Sequence, residues 1–119
     1  MTSEEEQTAH PESARRGPES VVVWLSGDLD LDHSDRVRSS LLHGVALAPQ
    51  GADIVVDLQN SSFCDSTGLN LLLAARELAL ESGSRITLAA PSHQMVRLLE
   101  LTGALDLFAL GPAEARPPG

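Results

Sequence analysis

The alternation of short β-branched runs with longer segments of helical period constrains this chain more than any other feature. Val21-Val22-Val23-Trp24-Leu25 has the length and composition of a strand, closed by Ser26-Gly27 and an acidic loop. Asp32 or Ser34 is placed to cap a following helix, whose apolar positions Val37, Leu41, Leu42 and Val45 recur at helical spacing up to Gly44 or beyond. Ile54-Val55-Val56-Asp57-Leu58 is nearly continuous in apolar character, as expected of an inner parallel strand covered on both faces. A polar loop, Gln59 to Ser62, leads to Phe63 and Cys64. A second helix is predicted from about Thr67 to Ser82, with Gly83 at its C′ position. Ile86, Leu88 and Ala90 mark a third strand. Pro91-Ser92 open a third helix carrying Met95, Leu98 and Leu99, and Gly103 stops it. Leu105, Leu107 and Phe108 predict a short last strand.

Strands and helices in strict alternation imply an α/β fold with a mostly parallel sheet and crossover helices. A length of 119 residues leaves room for one domain. That domain is expected over residues 20–110, without internal repeats. The tails at 1–19 and 111–119 are polar, contain proline and hold too few apolar residues to offset their ordering entropy, so both are predicted disordered. Partners of such sheets usually meet the carboxyl ends of the strands, and that edge holds Asp28, Asp30, Cys64, Asp65 and Ser66.

Composition narrows the function. Only 3% of the residues are aromatic and none is tyrosine, so the core is built from Leu, Val, Ile and Ala, with no stacking platform for nucleic acid. The net charge of −9, with arginine as the only basic side chain besides histidine, repels nucleic acid as well. Cys64 has no partner for an intramolecular disulfide, and no stretch approaches the roughly 20 apolar residues of a membrane span. Residues 1–20 lack the apolar segment of a signal peptide. A cytoplasmic protein that binds neither membrane nor nucleic acid is expected.

The segment Cys64-Asp65-Ser66-Thr67-Gly68-Leu69-Asn70 places a small hydroxyl where an apolar strand gives way to a leucine-rich helix. Free N–H groups and the positive dipole end favour a phosphate there. On these grounds alone, Asp-Ser-Thr ahead of an apolar periodic run reads as a plain N-cap. The helix that follows is apolar on too many sides. At about 100° per residue, Leu69, Leu72, Leu73 and Leu80 group on one side, with Leu71, Ala75 and Leu78 roughly opposite. Such a helix either has neighbours on two flanks or keeps an apolar patch for a partner.

The pattern apolar-x-Asp-Ser-Thr-Gly-Leu-x at a helix start, about eight residues after an apolar strand, resembles that of bacterial anti-sigma factor antagonists, the small members of the STAS domain family. Three further segments fit the resemblance: Leu25-Ser26-Gly27-Asp28-Leu29-Asp30, Ile54 to Leu58, and Leu98-Leu99-Glu100-Leu101-Thr102-Gly103. Together they cover about residues 20–110. The resemblance implies a single STAS-like domain with a four- or five-stranded, mostly parallel mixed sheet. It also implies a partner, an anti-sigma factor that is itself an ATP-dependent serine kinase. The unphosphorylated antagonist binds that kinase and frees the sigma factor, phosphorylation abolishes binding, and a phosphoserine phosphatase reverses it.

Carried over by position, Ser66 is the phosphoacceptor. Asp28, Asp30, Asp65, Thr67, Gly68 and Asn70 join it as partner-binding residues. The charge argument is independent of the resemblance: a phosphate adds about −1.5 to −2 charges to a surface already holding Asp28, Asp30 and Asp65, so an acidic partner surface is repelled. The chain departs from the family in three places. Residues 8–19 are poor material for the usual extra first strand, Asn70 stands where glycine is frequent, and Asp28 stands where glutamate is frequent.

Other chemistry is weakly supported. Asp28, Asp30 and Asp32 alternate as in a calcium loop, but His33 occupies the position that needs glycine and Ser39 the position that needs glutamate. His10, His33, His43 and His93 form no metal-site spacing. Cys64 reads as a small buried hydrophobe. Asp57 ends a strand as the phosphoaccepting aspartate of receiver domains does, but the chain has no lysine to complete that acid pocket. No nucleophile–base–orienter set is present, so neither an enzyme nor a cofactor is expected. The competing reading is a STAS scaffold or ligand-sensing module in which Ser66 is only a cap. A monomer and a weak homodimer remain equally compatible with the surplus leucines.

Overall fold

The computed structural model describes residues 20–115. The segment 1–19, the question of an extra first strand, His10 and residues 116–119 lie outside the described residues; of the tail expected to be disordered from 111, Gly111 instead closes β4 and the Glu114 N–H donates to the Asp57 carboxylate. The elements run β1 (Ser20–Ser26), α1 (Ser34–Leu47), β2 (Asp53–Asn60), α2 (Ser66–Glu81), β3 (Arg85–Ala89), α3 (His93–Thr102) and β4 (Ala109–Gly111), with single 3-10 turns at Leu31–His33 and Leu105–Leu107. This is the α/β fold expected, with four described strands.

All pairings among these strands are parallel, in the order β1-β2-β3-β4, with Val21 opposite Ile54 and Ile54 opposite Ile86. When right-handed crossovers always advance in one direction, the helices fall on one face of the sheet. The core agrees. Val23 and Leu25, Ile54, Val56 and Leu58, and Ile86 and Leu88 point to one side. They cluster with Val37 and Leu41 of α1, Leu69, Leu72, Ala75 and Ala79 of α2, and Met95 and Leu99 of α3. Residues 54–58 of β2 are buried on both faces, as the continuous apolar run predicts.

Two flanks of α2 have neighbours. Leu41 and Leu42 of α1 share a groove with Leu71, Ala74 and Ala75. On another flank Arg76 donates from Nε to the Leu107 carbonyl, at 2.9 Å. Ala75 joins Leu72 in the core instead of lying opposite it, and Leu78 and Leu80 remain exposed.

Three local expectations are corrected. Neither Asp32 nor Ser34 caps α1: Asp30 caps the preceding 3-10 turn by accepting from the His33 N–H, and α1 continues from that turn without a side-chain cap. Leu105 and Leu107 form a 3-10 turn, and the last strand is Ala109–Gly111. In the 105–108 run Phe108 is buried and Leu105 packs against the core, with Leu107 exposed, before the chain can pair with β3. Finally, β2 extends through Asn60, two residues into the expected loop. At the other end of α3 the expected stop holds: Gly103 sits at φ +78°, a left-handed conformation that side chains resist.

Candidate functional site

Two loops at the carboxyl edge of the sheet are bonded into one surface. The Leu29 N–H donates to the Phe63 carbonyl (2.9 Å), and the Asp65 N–H donates to the Leu29 carbonyl (3.0 Å). Leu29 and Cys64 thus form a one-residue parallel bridge beyond the ends of β1 and β2, and both are buried. This bridge brings the acidic loop, with Asp28 and Asp30, beside the segment that opens α2.

Asp65 has extended backbone, and its carboxylate accepts from the Gly68 N–H at 3.1 Å. That arrangement is the side-chain cap by which a carboxylate satisfies an orphan donor of the first turn. Ser66 is therefore the first residue of α2, and it is exposed. Its hydroxyl makes no hydrogen bond among the described residues. Asn70 is exposed one turn on, Thr67 is half-buried, and Gly68 is buried. A Cβ on Gly68 would meet the Leu29 carbonyl oxygen at 2.2 Å, so the glycine's place is beneath the surface, where it lets α2 approach the acidic loop.

Asp28 is exposed and Asp30 half-buried. The Asp30 carboxylate is 2.6 Å from His33 Nδ1 and accepts from the His33 N–H at 3.2 Å. The hydrogen bond from the His33 side chain holds the Asp30 carboxyl below its ordinary range. The edge also presents Leu31 and Phe63, 69% and 42% exposed, giving it an apolar component among the carboxylates.

The structure brings Asp28, Asp30, Asp65 and Ser66 to one edge, where the sequence places them, with Thr67 and Asn70 following in the first turns of α2. It also adds residues that sequence patterning misses. Gln94, on the first turn of α3, accepts from the Cys64 N–H (2.8 Å) and donates from Nε2 to the Cys64 carbonyl (2.7 Å). Ser92 caps α3 by accepting from the Met95 N–H, and its hydroxyl donates to the Ser62 carbonyl at 3.0 Å. The cap was legible in Pro91-Ser92. The long-range bonds were not, because they join residues 30 positions apart.

The residues set aside stay outside this surface. Cys64 is buried, and burial, aided by the Asp65 charge, pushes its thiol up to about 12. Asp57 is not a strand terminus but an interior residue of β2, 1% exposed. Its carboxylate accepts from the Gln59 N–H, Gln59 Nε2 and the Glu114 N–H. An aspartate so enclosed is poorly placed to take a phosphoryl group. Among the described residues no three His, Cys, Asp or Glu side chains converge on a metal position, and no helix is long and apolar enough to cross a membrane.

Comparison with known proteins gives the geometry a family. The family model described as "Mlab, STAS domain" matches residues 12–109. The anti-sigma-B factor antagonist of Bacillus subtilis is 29% identical over 94 residues, covering 79% of this chain and 84% of that protein. The anti-sigma F factor antagonist of Paenibacillus polymyxa is 33% identical over 90 residues, 76% of each chain. Among solved structures, the Bacillus cell fate determinant SpoIIAA in its phosphorylated form superposes with a TM-score of 0.59 at 26% identity, covering 83% of this chain and 86% of that one. The match over most of the chain and the four-stranded parallel core agree: this chain belongs to the STAS domain family.

Proposed function

We propose that this chain is an anti-sigma factor antagonist that works by partner switching, as a binding protein and not a catalyst. Its unphosphorylated form binds a cognate anti-sigma factor serine kinase, and phosphorylation of Ser66 abolishes that binding until a phosphatase reverses it. The observation that carries the reading is the placement of Ser66: exposed, with no hydrogen bond among the described residues, at the first position of α2, on an edge shared with Asp28, Asp30 and Asp65. The names of the relatives support the antagonist role, and SpoIIAA is known in a phosphorylated form.

A phosphate at Ser66 meets two opposite effects. It gains from the dipole end and the remaining free N–H groups of α2, so the host helix tolerates it. It also adds charge and bulk to a surface already rich in carboxylates, so the bound partner does not tolerate it. The switch acts at the interface and needs no refolding. Asp28, Asp30, Asp65, Thr67 and Asn70 supply the contact surface, and Gly68 supports it from beneath.

The test uses purified protein, ATP and each anti-sigma-type kinase of the host. Mass spectrometry is expected to find one phosphate, on Ser66, with one of them. Calorimetry with that kinase is expected to show binding by wild type and Ser66→Ala, and at least tenfold weaker binding by Ser66→Asp. Equal binding by all three, or no phosphorylation by any kinase, would overturn the proposal.

A further inference from the structure

Gln94 is exposed, yet its side-chain amide takes both backbone hydrogen-bonding groups of Cys64, at 2.8 and 2.7 Å. On the other side of the same segment, Leu29 takes the Phe63 carbonyl and the Asp65 N–H. In the middle of a parallel sheet, a residue gives its own N–H and C=O to one neighbouring strand while the residues flanking it serve the other. Cys64 is bonded in that manner. Leu29 is one neighbour, and the Gln94 amide stands in for the strand that is missing on the other side.

Ser92 repeats the arrangement two residues back, donating to the Ser62 carbonyl while it caps α3. Contacts at Ser62 and Cys64 follow the two-residue period of a strand edge. The first turn of α3 therefore completes a strand-like register for the segment leading into Ser66. A flexible glutamine on a helix surface loses rotamer freedom when held in this way, and two bonds to one residue are what hold it.

We propose that Gln94 is a positioning residue for Ser66. Its amide fixes the segment Phe63–Asp65 between two bonded neighbours, and that segment sets where α2 begins and how its first hydroxyl is presented. The kinase step rests on the phosphorylation reading above; the fixing of the segment does not. Loss of the amide leaves Cys64 with the Leu29 bridge on one side and, on the other, only the Ser92–Ser62 bond two residues back, so the segment samples orientations in which Ser66 is misaligned for phosphoryl transfer. Misalignment of a reacting group on the order of 1 Å costs up to about a hundredfold in rate.

The experiment compares wild type with Gln94→Met, which keeps length and helix propensity but offers neither bond, and with Gln94→Ala. Amide hydrogen exchange is expected to be at least tenfold faster at Cys64, relative to Val56 in the centre of β2, in both variants. With the kinase that phosphorylates wild type, kcat for Ser66 phosphorylation is expected to fall about tenfold. A role confined to overall stability accelerates exchange at both positions alike and leaves their ratio unchanged, and it leaves kcat unchanged well below the melting transition, where the folded fraction is close to one. Equal acceleration at Cys64 and Val56, unchanged exchange at Cys64, or a change in KM alone would overturn the proposal. If no kinase phosphorylates wild type, the phosphorylation reading falls, and the exchange comparison alone decides whether Gln94 holds the segment.

Discussion

A methyl group on Gly68 would approach the Leu29 carbonyl oxygen to 2.2 Å, the Leu29 Cβ to 2.8 Å and the Cys64 Sγ to 2.9 Å. Gly→Ala inside a helix normally stabilises by about 1 kcal/mol. Here all three opposing atoms belong to the two residues of the bridge that joins the acidic loop to α2, and overpacking costs about 1–3 kcal/mol. The carbonyl that would be struck is also the acceptor for Asp65. Gly68→Ala is therefore expected to lower stability by about 1–2 kcal/mol in chemical denaturation, with faster amide exchange at Asp65; an alanine variant as stable as wild type would contradict the close packing. Cys64, part of the same contact, makes a separate prediction. Its folded-state thiol lies at about 12, above the ordinary value of 9.0. The thiol is neutral in both states below pH 9, so the stability tied to it is complete there. Above pH 9 the unfolded chain releases the proton while the native protein keeps it, so stability falls toward pH 12, by at most about 1.4 kcal/mol per pH unit. Denaturation at pH 8 and pH 10 checks the sign, and Cys64→Ala is expected to remove this part of the slope. Native protein is also expected to resist a thiol reagent at pH 8 and to react once unfolded.

At the level of elements, α3 does two things with one residue. Ser92 accepts from the Met95 N–H and donates to the Ser62 carbonyl, so the cap that starts the helix also ties it to the loop before Cys64. Ser92→Ala removes both bonds and is expected to cost about 1–2 kcal/mol. Ser92→Asp keeps the accepting oxygen but has no proton to donate, and should cost less; the difference between the two variants in thermal unfolding measures the cap. The sequence showed as much of this as local chemistry can show. The β-branched runs, the helical period and Gly103 were legible because each rests on neighbouring residues. So was the Asp65 cap, visible as Asp-Ser-Thr before an apolar run. The start of α1 is not legible locally because a capped 3-10 turn feeds directly into the helix, so the capping aspartate stands four residues ahead of Ser34. The last strand departs from its apolar signal because Leu105 and Phe108 serve the core, while the strand-forming backbone belongs to the plainer Ala109-Leu110-Gly111. Gln94 left no trace in the sequence, since a side-chain amide bonded to backbone 30 residues away has no period and no motif.

On the scale of the whole molecule, the helices cover one face of the sheet, and the chain after β4 bears on the other. Asp53, Val55, Thr87 and Ala89 face away from the core cluster and line a concavity together with Gly111, Pro112 and Glu114. One buried carboxylate ties that segment down. Asp57 accepts from the Glu114 N–H at 2.8 Å and from two Gln59 donors at 3.0 Å, so its charge is met by three donors and its burial is compensated. Hydrogen bonds to a charged group contribute about 1.5–3 kcal/mol. Asp57→Ala removes the acceptor that the Glu114 N–H and the two Gln59 donors share, and Asp57→Asn turns an amide donor toward at least one of these donors. Both variants are expected to lose about 2–3 kcal/mol in denaturant unfolding, and amide exchange at Glu114 should accelerate well beyond that at Val56 on the same strand as Asp57. Ser66 lies on a different part of the molecule, at the carboxyl edge, so its exposure and any phosphorylation of it should be unchanged in these variants. A fall in Ser66 phosphorylation with Asp57→Asn would mean that the two surfaces communicate through β2. Unchanged exchange at Glu114 would mean that the segment is held by its packing and not by the carboxylate.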